Sequence, residues 1–251
     1  MGSGSRIAIV TGGGQGIGRT SALALNAEGW TVVVAGRHLE KLEETVGRAG
    51  DPTRMAAIVA DVGDAASVDA LFDETVKRFG RVDLLFNNAG INAPVVPLDQ
   101  LAVEDLEKII RVNIIGSFLC ARAAMRVMKA QEPQGGRIIN NGSVSAYAPR
   151  PNQSPYTATK HAITGLTKSI TLDGRAFNIA CGQIDIGNAA TEMSAYMTSG
   201  AMQANGTVVP EPRIPSEHIA QTIVHMASLP LEANIPFVTV MASGMPLYGR
   251  G

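Results

Sequence analysis

Seven short apolar runs, separated for the most part by helical patterns, constrain this chain more than any single motif does. The runs lie at 6–10, 31–35, 56–60, 82–86, 136–140, 177–181 and 237–241. Helical periodicity fills 20–28, 39–46, 67–79, 103–128, 157–173 and 216–228. Continuous apolar strands alternating with helices of this length predict parallel pairing, because only a sheet covered on both faces buries both sides of each strand. The crossovers are then right-handed. The expected product is α/β, a Rossmann-type, doubly wound parallel sheet of about seven strands. No repeat and no low-complexity linker divides the 251 residues. Residues 6–251 therefore read as a single domain, and 1–5 (Met1-Gly2-Ser3-Gly4-Ser5) read as an appended linker without the apolar stretch of a signal peptide.

Composition removes other classes. The formal net charge is −1, which excludes a chain built to neutralise phosphate backbones. Aromatics are 4 %, too few for base stacking, so no nucleic-acid partner is expected. No apolar run reaches the roughly 18 residues of a membrane span, since Arg122 and Arg126 interrupt the longest, so no membrane partner is expected either. Two cysteines, Cys120 and Cys181, read as small buried residues of a reduced, cytoplasmic protein. His38, His161, His218 and His225 lack metal-ligand spacing, so no metal site is expected.

The first run ends at Thr11-Gly12-Gly13-Gly14-Gln15-Gly16-Ile17-Gly18, which opens a helix. Glycines allow a tight turn and close approach to a pyrophosphate. The helix that follows offers unpaired N–H groups and the positive end of its dipole. Dinucleotide binding is the preferred reading over a plain strand-to-helix loop. Downstream come Asn87-Asn88-Ala89-Gly90, then Asn113, Ser143, Tyr156 and Lys160. Tyr156 and Lys160, at i and i+4, share one helix face. A free phenol has a pKa near 10, and an adjacent ammonium favours the phenolate. Tyr156 is thus suited to exchange a proton with a carbonyl or alcohol oxygen, and Ser143 to hold that oxygen. Each residue alone has an ordinary structural reading, such as a snorkelling pair or a turn serine.

The ordered set resembles the short-chain dehydrogenase/reductase family across most of the chain. The resemblance implies oxidoreduction between a nicotinamide cofactor and a ketone or secondary alcohol. It implies Asn113, Ser143, Tyr156 and Lys160 as the catalytic set. Lys160 would also bind the nicotinamide ribose, and the Asn113 backbone would support a water between Lys160 and solvent. Cofactor contacts are expected at Gly12, Gly14, Gln15, Gly16, Ile17, Gly18, Arg37, His38, Asp61, Val62, Asn88, Ala89, Gly90, Tyr156, Lys160, Gly182 and Ile184. A homo-oligomer, tetramer or dimer, is implied, with 103–128 and 157–173 supplying the apolar faces.

Position 36, where an acidic residue would select NAD(H), is Gly36, and Arg37 follows. A guanidinium fork fits a 2′-phosphate, so NADP(H) is favoured over NAD(H). The glycine loop itself offers Gln15 rather than a second cation. Glu40 reads mainly as support for the start of the next helix. In the family a Pro-Gly pair precedes by four residues a threonine that holds the carboxamide. Aligned on Gly182, that pattern puts Cys181 for the proline and Ile186 for the threonine, leaving Asn188 or Thr191 to supply the missing contact. Residues 187–214, with Met193, Tyr196, Met197 and Met202, read as the substrate loop. Together with the tail 241–248 they suggest a hydrophobic or cyclic carbonyl substrate. The alternatives are the same reaction with NAD(H), and a catalytically retired nucleotide sensor on the same fold.

Overall fold

In the computed structural model the described residues are 6–192, 194–195 and 199–248. The expected linker at 1–5, and Met193, Tyr196 and Met197 of the substrate loop, lie outside them. Seven parallel strands form one sheet: β1 (Ile7–Thr11), β2 (Thr31–Gly36), β3 (Met55–Val59), β4 (Leu84–Asn87), β5 (Gly136–Asn141), β6 (Ile179–Ile186) and β9 (Phe237–Val240). Their spatial order is β3-β2-β1-β4-β5-β6-β9. The order reverses between β1 and β4, and there the strand ends open a crevice. A two-stranded antiparallel hairpin, β7 (Ala201–Met202) with β8 (Val208–Val209), sits within residues 187–214.

Strand alternation divides the core in two. Ile9, Val33, Leu85, Ile138 and Cys181 face α3 (Ala65–Phe79), α5 (Gly116–Ala130) and α6 (Ser154–Gly174), where Phe72, Ala124 and Ile163 pack against them. Val10, Val34, Phe86, Ile139 and Ile184 face α1 (Gly16–Ala27), α2 (Leu39–Gly47) and α7 (Ser216–Ser228), meeting Leu25, Leu42 and Ile223. Local chemistry fixes the helix ends. The Asp64 carboxylate caps α3 by accepting the Ser67 N–H at 3.0 Å, and Gly80 ends it at φ +83°.

Two elements depart most from the sequence reading. The helix expected over 103–128 is α4 (Val103–Ile110) running into α5 through one π turn at Arg111–Ile115. Strand β6 continues five residues past Cys181, because its polar residues find partners on α6 and after β5. Gln183 donates to Thr164 Oγ1 at 3.1 Å and accepts from Thr167 Oγ1 at 2.9 Å.

Candidate active site

The C-terminal ends of the strands line one cleft of about 370 Å³, within the size range of small-molecule sites. Gly12, Gly14, Gln15, Gly16, Ile17, Gly18, Arg37, His38, Asp61, Val62, Asn88, Ala89, Gly90, Ser143, Tyr156 and Lys160 all line it. The glycine loop is shaped for a close ligand. Gly12 holds φ +65°, and a side chain at Gly18 would overlap the Gly12 carbonyl. The first turn of α1 has no side-chain cap from Gln15, so its N–H groups face the cleft unclaimed by that residue. These features fit the phosphates of a dinucleotide.

The Asn87-Asn88-Ala89-Gly90 segment ties three strand ends together. Thr11 Oγ1 accepts the backbone N–H of Asn88 at 2.9 Å and of Ala89 at 3.0 Å. The Asn88 amide donates to the Thr11 carbonyl at 2.8 Å and accepts from the Asn141 amide at 2.8 Å. Asn87 reaches Asn140 Oδ1 at 3.1 Å and the Ser117 carbonyl at 2.9 Å.

Three of the four expected catalytic residues share the cleft wall. Lys160 is buried and donates from Nζ to the Asn141 carbonyl at 2.8 Å. Its ammonium lies 5.6 Å from the centre of the Tyr156 ring. Burial pulls the Lys160 ammonium down to about 8, opposed by the charge of Asp185. Ser143 Oγ accepts the Ser145 N–H at 3.1 Å, and its own N–H donates to Asp185 Oδ1 at 3.0 Å. Asn113 lies behind the cleft, in the π turn. Its amide accepts the Ile91 N–H at 2.8 Å and donates to the Ile91 carbonyl at 3.0 Å and to Thr159 Oγ1 at 3.3 Å. Its backbone carbonyl accepts from Ser117 Oγ at 2.8 Å.

The expected contacts at Gly182 and Ile184 require correction. Neither lines the cleft; both are buried inside β6, where a side chain at Gly182 would overlap the Ile235 carbonyl. Ile186, Gly187, Ala189 and Thr191 line it instead. The spacing of a glycine and a threonine four residues later is met by Gly187 and Thr191, five residues beyond the expected register. Thr191 approaches the glycine loop, its Cγ2 lying 3.4 Å from where a Gly16 Cβ would stand. Asn188 is already engaged. It accepts from Arg150 at 3.0 Å and donates to Glu211 at 2.6 Å and to the Pro212 carbonyl at 3.3 Å.

Several lining residues carried no signal in the sequence. Lys41, one turn beyond Arg37, donates to Gln15 Oε1 at 2.9 Å and adds a cation at the Arg37–His38 end. Glu40 lies 3.7 Å from His38. Arg150 lines the opposite end and pairs with buried Glu211 at 2.7 and 2.5 Å. Gln203 donates to the same carboxylate at 2.8 Å. Val144 and Met245 add apolar surface near Ser143, whereas Tyr248 at the tail is exposed. Among the described residues, no three His, Cys, Asp or Glu side chains stand together as a metal site. No helix among them is long and apolar enough to cross a membrane.

A profile of the short chain dehydrogenase family matches residues 6–201. Levodione reductase of Leifsonia aquatica is 34 % identical over 191 residues, covering 75 % of this chain and 71 % of its own. A 3-ketoacyl-(acyl-carrier-protein) reductase from Brucella melitensis, solved with NADH, superposes with a TM-score of 0.84 at 26 % identity, covering 95 % of this chain and 97 % of its own. A variant of actinorhodin polyketide ketoreductase, solved with NADPH, superposes at 0.85 with 25 % identity, covering 94 % and 95 %.

Proposed function

This chain belongs to the short-chain dehydrogenase/reductase family and is an NAD(P)-dependent oxidoreductase; on that premise we propose that it interconverts a ketone and a secondary alcohol, preferring NADP(H) and a hydrophobic or cyclic carbonyl compound. The observation that carries the reading is the shared cleft wall of Ser143, Tyr156 and Lys160, with Lys160 anchored on the Asn141 carbonyl. The nicotinamide cofactor, when bound, supplies or accepts the hydride. The glycine loop and the start of α1 would hold its phosphates, and Thr191 would meet its carboxamide end. Ser143 donates to the substrate oxygen and fixes its position. Tyr156 gives a proton to that oxygen during reduction and removes it during oxidation. The Lys160 ammonium favours the phenolate of Tyr156 electrostatically.

The NADP(H) preference rests on three basic side chains, Arg37, His38 and Lys41, at one end of the cleft, and on the absence of an acidic side chain at Gly36. The apolar substrate preference rests on Val144, Ile186 and Met245 beside Ser143. The cation at that end, Arg150, is already balanced by Glu211. The helical runs expected at subunit contacts expose Val103, Ile115, Phe118 and Leu172, which supports a homo-oligomer.

The test is Tyr156→Phe, assayed with cyclohexanone and NADPH. Turnover is expected to fall about 10²- to 10⁴-fold, as for loss of a general acid, with NADPH binding retained. Turnover kept at the wild-type rate refutes the assignment.

A further inference from the structure

The mechanism leaves one buried carboxylate unused. Asp185 is the penultimate residue of strand β6, one residue before the cleft-lining Ile186, and is 6 % exposed. A carboxylate inside a parallel sheet is costly unless its oxygens are bonded. Here Oδ1 accepts two donors, the Ser143 N–H at 3.0 Å and Gln183 Nε2 at 2.8 Å. The room comes from Gly142, where any Cβ would overlap the Asp185 carboxylate and stand 2.6 Å from Gln183 Nε2. The glycine just before Ser143 and the acid across from it therefore form one spatial unit. The titratable groups that feel Asp185 are Lys160 of α6, whose Nζ is held at 2.8 Å on the carbonyl of Asn141, the residue before Gly142, and Tyr147, which follows β5. Its partner across the sheet in β9 is Thr239, and its neighbour on its own strand is Gln183; both are neutral.

Resting on the catalytic reading above, the geometry points to Asp185 as a positioning residue: lodged in the space left by Gly142, it fixes Ser143 through the backbone N–H and serves as the buried counter-charge of Lys160. Both effects reach the reacting centre without Asp185 touching substrate. The backbone bond sets where Ser143 Oγ points. The negative charge, in a site largely closed to water, keeps Lys160 charged against burial. Burial pulls Lys160 down to about 8 with the Asp185 charge already opposing it, so removing that charge lowers it further.

The test is the pH profile of Asp185→Asn, using cyclohexanone and NADPH. The amide preserves shape and an acceptor for Ser143 but removes the charge. The alkaline limb of kcat is expected to move about one pH unit lower, as for loss of a nearby opposite charge. NADPH affinity, followed by nicotinamide fluorescence, is expected to show the same alkaline displacement while matching wild type near pH 6. Wild-type limbs in both measurements overturn the inference, as does a loss of turnover that is uniform with pH. Should Asp185→Asn fail to fold, Asp185→Ser removes the charge and keeps a side-chain oxygen on the Ser143 side of the strand. The same displacement in it supports the inference, and a wild-type profile overturns it. Tyr156→Phe, run alongside, separates the two readings. If that variant stays active the catalytic assignment fails. If it is inactive and the Asp185 variants keep wild-type limbs, only the role of Asp185 fails.

Discussion

Replacing Glu211 by glutamine is expected to release the substrate loop at neutral pH. The Glu211 carboxylate is buried and takes hydrogen bonds from Arg150, Gln203 and Asn188. Burial alone pushes a carboxyl up. Here the bonds from Arg150, Gln203 and Asn188 and the Arg150 charge outweigh it, and Glu211 is held at about 2 against an ordinary 4.5. That gap of about 2.5 pH units corresponds to ~3 kcal/mol of stability at pH 7. Because the folded value lies below the unfolded one, the contribution is complete above about pH 4.5 and fades as pH falls toward 2. Glutamine keeps the shape but leaves the buried Arg150 guanidinium without its counter-charge, a loss of about 3–5 kcal/mol for a broken buried pair. In a chain of this length the melting temperature should fall by roughly 6–20 °C at pH 7. If opening stays within 187–214, proteolysis of that segment should instead accelerate on the order of 100-fold. At pH 3 the difference between wild type and variant should shrink to less than half. A variant matching wild type at pH 7 in both assays, or a difference as large at pH 3 as at pH 7, refutes the reasoning.

Two further predictions concern the cofactor and the assembly. Arg37→Ala should weaken NADPH binding at least tenfold in a fluorescence titration and leave NADH binding within about twofold, since a lost charge-assisted bond to phosphate is worth roughly 1.5–3 kcal/mol; equal losses for both cofactors would remove Arg37 from phosphate recognition. Phe118→Asp, placed on the exposed face of α5, should lower the solution mass measured by light scattering without changing the far-ultraviolet circular dichroism, and an unchanged assembly would move the contact elsewhere.

Most of the fold was legible because it is written in local pattern. The helix Ser216–Ser228 matches the periodicity end to end, and β5 departs from it by one residue. The exception at β6 has a physical cause. The apolar run stops at Cys181, and Gln183 and Asp185 break its pattern, since an unpaired polar group is costly inside a sheet. Their partners, Thr164, Thr167 and Ser143, are 16 to 42 positions away, beyond the reach of a local pattern. Matching the Pro-Gly pattern to Cys181-Gly182 placed the carboxamide motif on Gly182 and Ile184, five residues short of Gly187 and Thr191. The π turn at Asn113 was hidden for a similar reason. Its residues keep a helical pattern, and it is the side-chain bonds to Ile91 and Thr159 that accompany the wider turn.

The two halves of the cleft differ in the same respect. At the glycine-loop end the backbone sets most of the shape, through a glycine turn and a helix start, and such features are contiguous in sequence. At the substrate end the side chains hold one another. Arg150 meets Glu211 across 61 residues, Asn188 joins both, and Asp185 reaches Ser143 across 42. Each of these polar groups is costly to bury alone and is stabilised only with its partners in place. The substrate end is therefore fixed by pairs rather than by single residues. Changing one member, as in Glu211→Gln or Asp185→Asn, alters the geometry or charge presented to the carbonyl without touching a residue that contacts it.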